Sequence, residues 1–511
     1  MNKLILTGSN LNLESLYSFV KNKEHQIEID DEAMIRVRKS RDFLETESKD
    51  KVIYGFNTGF GPMASHIIGS GQLDELQLNL IRSHAVGMGN PIRSEYVLAA
   101  MVVRLNMFLQ GYSGVSVDFI EYIKVFINNR IIPIIPEHGA VGTSGDLVQL
   151  AHIALALLGE GEVMYQDKKE NTSDVLKKLK IKPYILKPKE GLSFINGTAV
   201  MTAISAIECV KAKKIIDLEI NNGAFAMELI HSYSDGISEV LQNIRPHAGQ
   251  KEVARRLREI LASSKLIRDR KTLHESVSLP NDVTEILQSV QEVYSFRCIP
   301  QILGPILDTI ERTSSVVTIE MNSVTDNPIV DVAGGEFIHG GNFHGDYIAS
   351  SIDQLKAAMV KLTMLSERRI NFFLNKKVNG FLPPFLNLNK LGLNLGLQGL
   401  QFVATSTTAQ SQSLAFPHHI HSISTNADNQ DVVSMGTDAA LFASKVIDNA
   451  YILSTIEIIT LAQVADYLKE IDNLSDSSCG LYKMIRRHFE KVTDDRVLVG
   501  DLERLLKVIE G

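Results

Sequence analysis

Along most of this chain apolar residues recur at spacings of three and four, the period of a helix with one buried face. The pattern predicts helix over about 73–130, divided into two pieces by the turn formers of Gly87–Pro91. Residues 1–45 read as a small capping segment, in which acidic Glu28–Glu32 leads into Ala33-Met34-Ile35-Arg36-Val37. The run Tyr54-Gly55-Phe56-Asn57-Thr58-Gly59-Phe60-Gly61-Pro62 holds too many turn formers for either period and is a loop. Ile131–Pro136 is extended, because each proline biases its predecessor away from helix. It feeds a second glycine-rich loop, Gly139–Asp146, and then a helix Leu147–Leu158 that Gly159 stops. The lysine-rich stretch 160–190 reads as a surface excursion with short strands.

After Gly191–Gly197 the helical period dominates. Asp346–Asn375 contains neither Gly nor Pro and keeps Ile348, Ile352, Leu355, Met359 and Leu362 on one stripe. At ~1.5 Å per residue it makes a rod of ~45 Å. Thr437–Cys479 also lacks Gly and Pro and is patterned as helix. Such rods cannot bury themselves alone, which predicts a bundle completed by neighbouring copies. The fold class is mainly α. A loop-rich N-terminal region, 1–200, precedes a long-helix bundle, 201–511.

Composition narrows the function. The 511 residues carry 60 acidic and 52 basic side chains, a net charge of −8, without a Lys/Arg block, which argues against a nucleic-acid partner. Cys209, Cys298 and Cys479 are far apart and odd in number, as expected of reduced thiols in the cytoplasm. The start, MNKLILTGSNLNLESL, turns polar too soon for a signal peptide. No run of ~18 apolar residues stands out, so no membrane span is expected.

On its own terms, Gly139–Asp146 is most commonly a tight turn before a helix, or an anion-binding nest. It lacks the Lys-Ser/Thr ending of a phosphate-binding loop. Thr143-Ser144-Gly145 admits sharper chemistry. If the backbone is bent tightly, the glycine nitrogen attacks the carbonyl two residues back. Loss of two waters closes a five-membered ring and turns the serine into a methylidene. The product is a carbon electrophile that no ordinary side chain supplies.

Gly142-Thr143-Ser144-Gly145-Asp146-Leu147-Val148-Gln149-Leu150-Ala151-His152 resembles the signature of the aromatic amino acid ammonia-lyase and aminomutase family, whose members carry this methylidene-imidazolone group, MIO. The resemblance runs through nearly the whole chain: Tyr54–Gly61, Asn196–Thr198, Tyr294–Gln301, Thr325–Pro328, Gly341–His344 and Asn429–Asp431. It implies the long-helix bundle of the histidine/phenylalanine ammonia-lyase type, no external cofactor or metal, and a homotetramer with shared active sites. Most members have Ala-Ser-Gly; here Thr143 stands first, and only its carbonyl enters the ring.

By the same resemblance Tyr54 is the base for the β-proton. With an ordinary pKa of ~10 a tyrosine needs neighbours that favour the phenolate. Its glycine-rich setting suggests a lid. Arg297 is expected to clamp the substrate carboxylate through two parallel donors. Tyr294, three residues earlier, shares a helix face with it and stands beside the amine. Asn196 and Gln291 are expected to support the MIO or the carboxylate, and Phe343 to pack on the ring. Otherwise each of these would be read as ordinary packing or pairing. His418, His419 and His421 lack ligand-spaced partners and read as surface or interface histidines.

Two positions bear on the substrate. Ser83-His84 resembles histidine ammonia-lyases and also some bacterial tyrosine ammonia-lyases; its imidazole suits a polar ring. Gln430 stands where histidine lyases place glutamate and phenylalanine and tyrosine lyases place glutamine. A neutral amide suits an uncharged aryl ring. Gln430 outweighs His84, so the expected reaction is L-tyrosine to p-coumarate. L-Histidine to urocanate, an aromatic 2,3-aminomutase, and a catalytically silent helical scaffold are the alternatives.

Overall fold

The computed structural model describes residues 3–277, 281–286 and 289–511. Among them run twenty α-helices, with short strands gathered into sheets of two or three. The mainly-α expectation holds. At the N-terminus Lys3–Leu6 pairs in parallel with Gln26–Ile29. The helices Leu13–Lys21 and Asp31–Glu47 start where the Asn12 and Asp30 side chains accept backbone N–H bonds.

The region 73–130 forms three helices, not two: Leu73–His84, Ser94–Phe108 and Val117–Asn128. The break at Gly87–Pro91 is a strand, Met88–Pro91, antiparallel to Pro136–His138. The second break falls where Gly111 and Gly114 take positive φ (78° and 67°) and the Ser116 side chain caps the next helix. The other long run also breaks. Gly436–Leu468 is helical, but Lys469 turns left-handed (φ 59°), and a new helix, Asp476–His488, starts under the Ser475 cap. Buried Glu228, on the helix Ala199–Leu229, accepts the Ser475 N–H at 2.5 Å, so a tertiary contact fixes that break. Asp346–Leu374 is continuous, as its stripe predicts.

Contacts divide the chain into two units. The first comprises Met1–Val210, Arg312–Gln354 and Pro417–Ala443. Its core includes Phe108, Phe119 and Phe194, with Phe119 and Phe194 ring centroids 5.7 Å apart. The second comprises Lys211–Glu311, Leu355–Phe416 and Ser444–Gly511. Phe225, Phe296, Phe373, Leu453 and Ile458 are part of its core. There Arg369 is buried between Glu219 and Glu457, at 2.5 Å from each. Burial pushes Glu457 up to about 8, with Arg369 opposing and Glu219 adding to the rise.

Among the described residues one helix, Gly436–Leu468, is long and apolar enough by mean composition to cross a membrane, although polar residues such as Asn449, Glu457 and Gln463 interrupt it. In its most apolar window 78% is buried within the protein, so it is a core helix. Cys209 is buried, and Cys298 and Cys479 are half-buried.

Candidate active site

The loop Gly139–Asp146 is held in its bend from several directions. Gly142 (φ 78°) and Gly145 (φ 70°) lie in the left-handed region. A Cβ at Gly145 would collide with the Gly197 carbonyl, and one at Gly142 with the Ser434 hydroxyl. A side chain at Gly145 would meet fixed backbone, and one at Gly142 would strain the left-handed φ and displace Ser434. The Gly142 carbonyl accepts from Ser434 Oγ (3.0 Å) and from Gly345 N (3.2 Å). Next along, Asp146 N donates to the Gly197 carbonyl at 2.8 Å.

Asp146 ties this bend to the helix Ala199–Leu229. Its Oδ2 accepts from Val200 N (2.8 Å) and Met201 N (3.0 Å), donors that a helix start leaves unpaired. The Thr437 hydroxyl donates to its other oxygen. Burial raises the Asp146 carboxyl to about 6, opposed by Thr437, by the two N–H groups and by Arg104. Fully buried Arg104 binds the far side of the same frame. It donates to the Phe194 carbonyl (2.9 Å), the Asn196 carbonyl (2.7 Å) and the Ser193 carbonyl, at the end of the helix Glu190–Ile195. Those carbonyls are orphans of a helix C-terminus, where a cation is favourable. Burial lowers Arg104 to about 10, which leaves it charged at neutral pH.

In front of this bend lies a cavity of about 1140 Å³. Nine residues expected from the sequence line it: Tyr54, Ser83, His84, Thr143, Ser144, Gly145, Asn196, Phe343 and Gln430. Gln430 Nε2 donates to Ser144 Oγ at 3.0 Å. Tyr54 is pinned at both ends. Its backbone N donates to His339 Nε2 (3.2 Å), and its phenolic oxygen accepts from Gly61 N (3.0 Å). The Tyr54 ring stands nearly perpendicular to Phe60, with centroids 6.3 Å apart. His84 Nδ1 lies 2.9 Å from the Leu80 carbonyl and 3.1 Å from Ser83 Oγ. A carbonyl only accepts, so Nδ1 carries a proton and a neutral His84 keeps an acceptor at Nε2.

Gln291, Tyr294 and Arg297 do not line this cavity. They lie in the second unit, where Gln291 and Arg297 line a cavity of about 460 Å³. The helix Tyr294–Arg297 does put the pair on one face, with the guanidinium 4.9 Å from the ring centroid. Arg297 Nη1 donates to Gln291 Oε1. The histidine group finds carboxylates that sequence spacing did not offer. Asp353 accepts from His418 N (2.6 Å) and His419 N (2.8 Å) and lies 2.7 Å from His419 Nδ1, while His418 Nε2 is 3.4 Å from Asp438. No cluster fit for a metal occurs among the described residues.

Sequence reasoning missed Arg104, Thr437, Ser434 and His339, all of which brace the loop or Tyr54. Only Arg104 gave a signal: it is the lone charge in a stretch, Val97–Phe108, that is apolar apart from Asn106. The residues around Ser144 suit a group made from the backbone. Asn196 Nδ2 donates to the Asn327 carbonyl (3.0 Å), while Asn196 Oδ1 and Thr143 Oγ1 are buried without a partner. The Thr143 hydroxyl can donate to an acceptor such as a ring nitrogen or carbonyl oxygen, while Asn196 Oδ1 would accept from a donor on a bound substrate.

Comparison with known proteins agrees. The family model for aromatic amino acid lyases matches residues 11–487. A histidine ammonia-lyase of Staphylococcus aureus is 37% identical over 510 residues, 99% of this chain and 98% of that one. A tyrosine aminomutase from Streptomyces globisporus superposes with a TM-score of 0.95 at 32% identity, covering 99% of this chain and 97% of that one. The Pantoea agglomerans phenylalanine aminomutase gives 0.95 at 32% identity, with 100% and 99% covered. The braced glycine bend, the cavity in front of it and the match along almost the whole chain agree: this protein belongs to the aromatic amino acid lyase family and is a carbon–nitrogen lyase.

Proposed function

We propose that the protein eliminates ammonia from an aromatic L-amino acid, L-tyrosine first among them, through an MIO group made from Thr143-Ser144-Gly145. The position of Ser144 carries the proposal: it faces the cavity that Tyr54 lines, on a bend only glycine can make. The Gly145 nitrogen closes on the Thr143 carbonyl carbon, and that oxygen leaves as water. Ser144 then loses its hydroxyl as a second water, so its Cβ becomes the methylidene. The hydroxyl that Gln430 contacts therefore marks where the reactive carbon will stand. When formed, the group supplies an electrophile that makes the substrate nitrogen a better leaving group.

The chain's own residues do the rest. Tyr54 takes the β-proton as its phenolate and becomes the neutral phenol, and the Gly61 N–H aimed at its oxygen favours the phenolate that precedes the transfer. Asn196 and Phe343 orient the ring of the group. The free acceptor on His84 suits a phenol hydroxyl, and the neutral Gln430 amide suits an uncharged ring. Supplying tyrosine, histidine and phenylalanine separately and following the conjugated acid tests the choice. Faster turnover of histidine than of tyrosine would overturn it. The likeness to histidine ammonia-lyases keeps urocanate formation as the second reading. A β-amino acid in the product would instead identify an aminomutase, the activity named for two of the matching structures. Gln430→Glu is expected to raise the histidine-to-tyrosine ratio of kcat/KM by about tenfold or more. Competition kinetics check it; an unchanged ratio contradicts the role of Gln430.

We also propose a homotetramer with shared active sites. In this reading the carboxylate clamp for Ser144 is the Arg297 of a second copy; within its own unit Arg297 lines a separate cavity with Gln291. Exposed Leu393, Phe402 and Phe416 in the second unit offer apolar surface for such contacts. Ser144→Ala and Arg297→Ala variants, each inactive alone, are then expected to regain activity when co-assembled. Persistent inactivity of a verified mixed oligomer would contradict sharing.

A further inference from the structure

We propose that His339 is a positioning residue that holds Tyr54 at the cavity, through a neutral Nε2 that accepts the Tyr54 backbone N–H. The inference rests on Tyr54 being the base. The bond is 3.2 Å long, and a backbone N–H only donates, so Nε2 must present its lone pair and the ring proton sits on Nδ1.

His339 is itself well anchored. It follows the hairpin in which Ile329 pairs with Ile338, Val330 with Phe337 and Asp331 with Glu336. The next residue, Gly340, donates its N–H to Asn327 Oδ1 at 2.8 Å. Asn327 in turn accepts from Asn196 Nδ2 (3.0 Å), and Arg104 holds the Asn196 carbonyl (2.7 Å). Asn196, Asn327 and Arg104 are all buried. A continuous hydrogen-bonded path therefore runs from the frame behind Ser144 to the backbone of Tyr54.

The Tyr54 loop has few other ties to that frame. Asn57 Oδ1 accepts from Ile53 N within the loop, and Gln77 Nε2 donates to the Gly55 carbonyl at 3.2 Å. His339 also forms part of the wall between two cavities: Tyr54 and His344 line one with it, and Lys51 and Glu336 line the other. Its ring bonds the Tyr54 backbone N–H, and no hydrogen bond joins it to Ser144, so its effect on the reaction passes through Tyr54. Losing it leaves the phenol less often aligned, and a misplacement of an ångström is costly in this kind of chemistry.

The experiment compares His339→Ala with His339→Gln in the full chain. The Gln carbonyl accepts the same N–H but has no proton to gain. His339→Ala is expected to lower kcat about 10- to 100-fold with KM little changed. Deuterium uptake at the Tyr54 amide should rise about tenfold, and the mass should keep its loss of two waters. His339→Gln should restore kcat and protection to within about threefold of wild type. Unchanged exchange at Tyr54 in the Ala variant, or a Gln variant no better than Ala, would overturn the role of His339. The exchange measurement needs no MIO, so an undehydrated wild-type chain would count against the proposed reaction and not against this latch.

Discussion

Ser144→Ala is expected to abolish turnover, lowering kcat on the order of 10³-fold or more, while the chain folds as before. Alanine has no hydroxyl to expel, so no methylidene forms and the electrophile is lost. Stability should change little. Ser144 is only half-buried, and the bend is held by Gly142, Gly145 and Asp146 through backbone and carboxylate bonds that the change leaves in place. What disappears is the Gln430 contact at 3.0 Å, a single neutral hydrogen bond worth about 1 kcal/mol. Kinetics, circular dichroism and intact mass together check this. Near wild-type activity in a chain of full encoded mass would refute the electrophile assignment. A wild type that is itself inactive and undehydrated would favour the silent scaffold.

Tyr54→Phe gives the second large effect and separates proton transfer from formation of the group. The ring, its edge contact with Phe60 and the His339 bond to the backbone all survive; only the hydroxyl and the Gly61 N–H bond to it are lost. A general base of this kind contributes about 10²- to 10⁴-fold, so kcat should fall by that range with KM little altered. The variant should still lose two waters, because Tyr54 plays no part in ring closure. A drop in KM alone, or a loss of dehydration, would assign Tyr54 a different role.

These two variants probe residues that were legible in the sequence, and the structure explains why others were not. Asp346–Leu374 could be read because its apolar stripe is continuous and nothing interrupts it. The stop after Leu468 could not, since no Gly or Pro marks it and its cause is a buried Glu228 more than 240 residues earlier in the chain. The break between Phe108 and Val117 was visible in Gly111 and Gly114, but helix-compatible residues around them masked it. In the site, loop chemistry exposed Tyr54 and Ser144, whereas bracing residues such as Ser434, Thr437 and His339 carry no local pattern. Their roles come from which backbone atoms the fold brings to them. Arg297 shows the converse: its chemistry was legible, but residue order gives no clue that it lines a cavity other than that of Ser144.

The most direct test is the intact mass of the purified, active chain. A mass lower than the encoded 511 residues by two waters, with the deficit mapped to the peptide containing Thr143-Ser144-Gly145, is the predicted result. Full catalytic activity in a chain whose Thr143–Gly145 peptide retains both waters would contradict it.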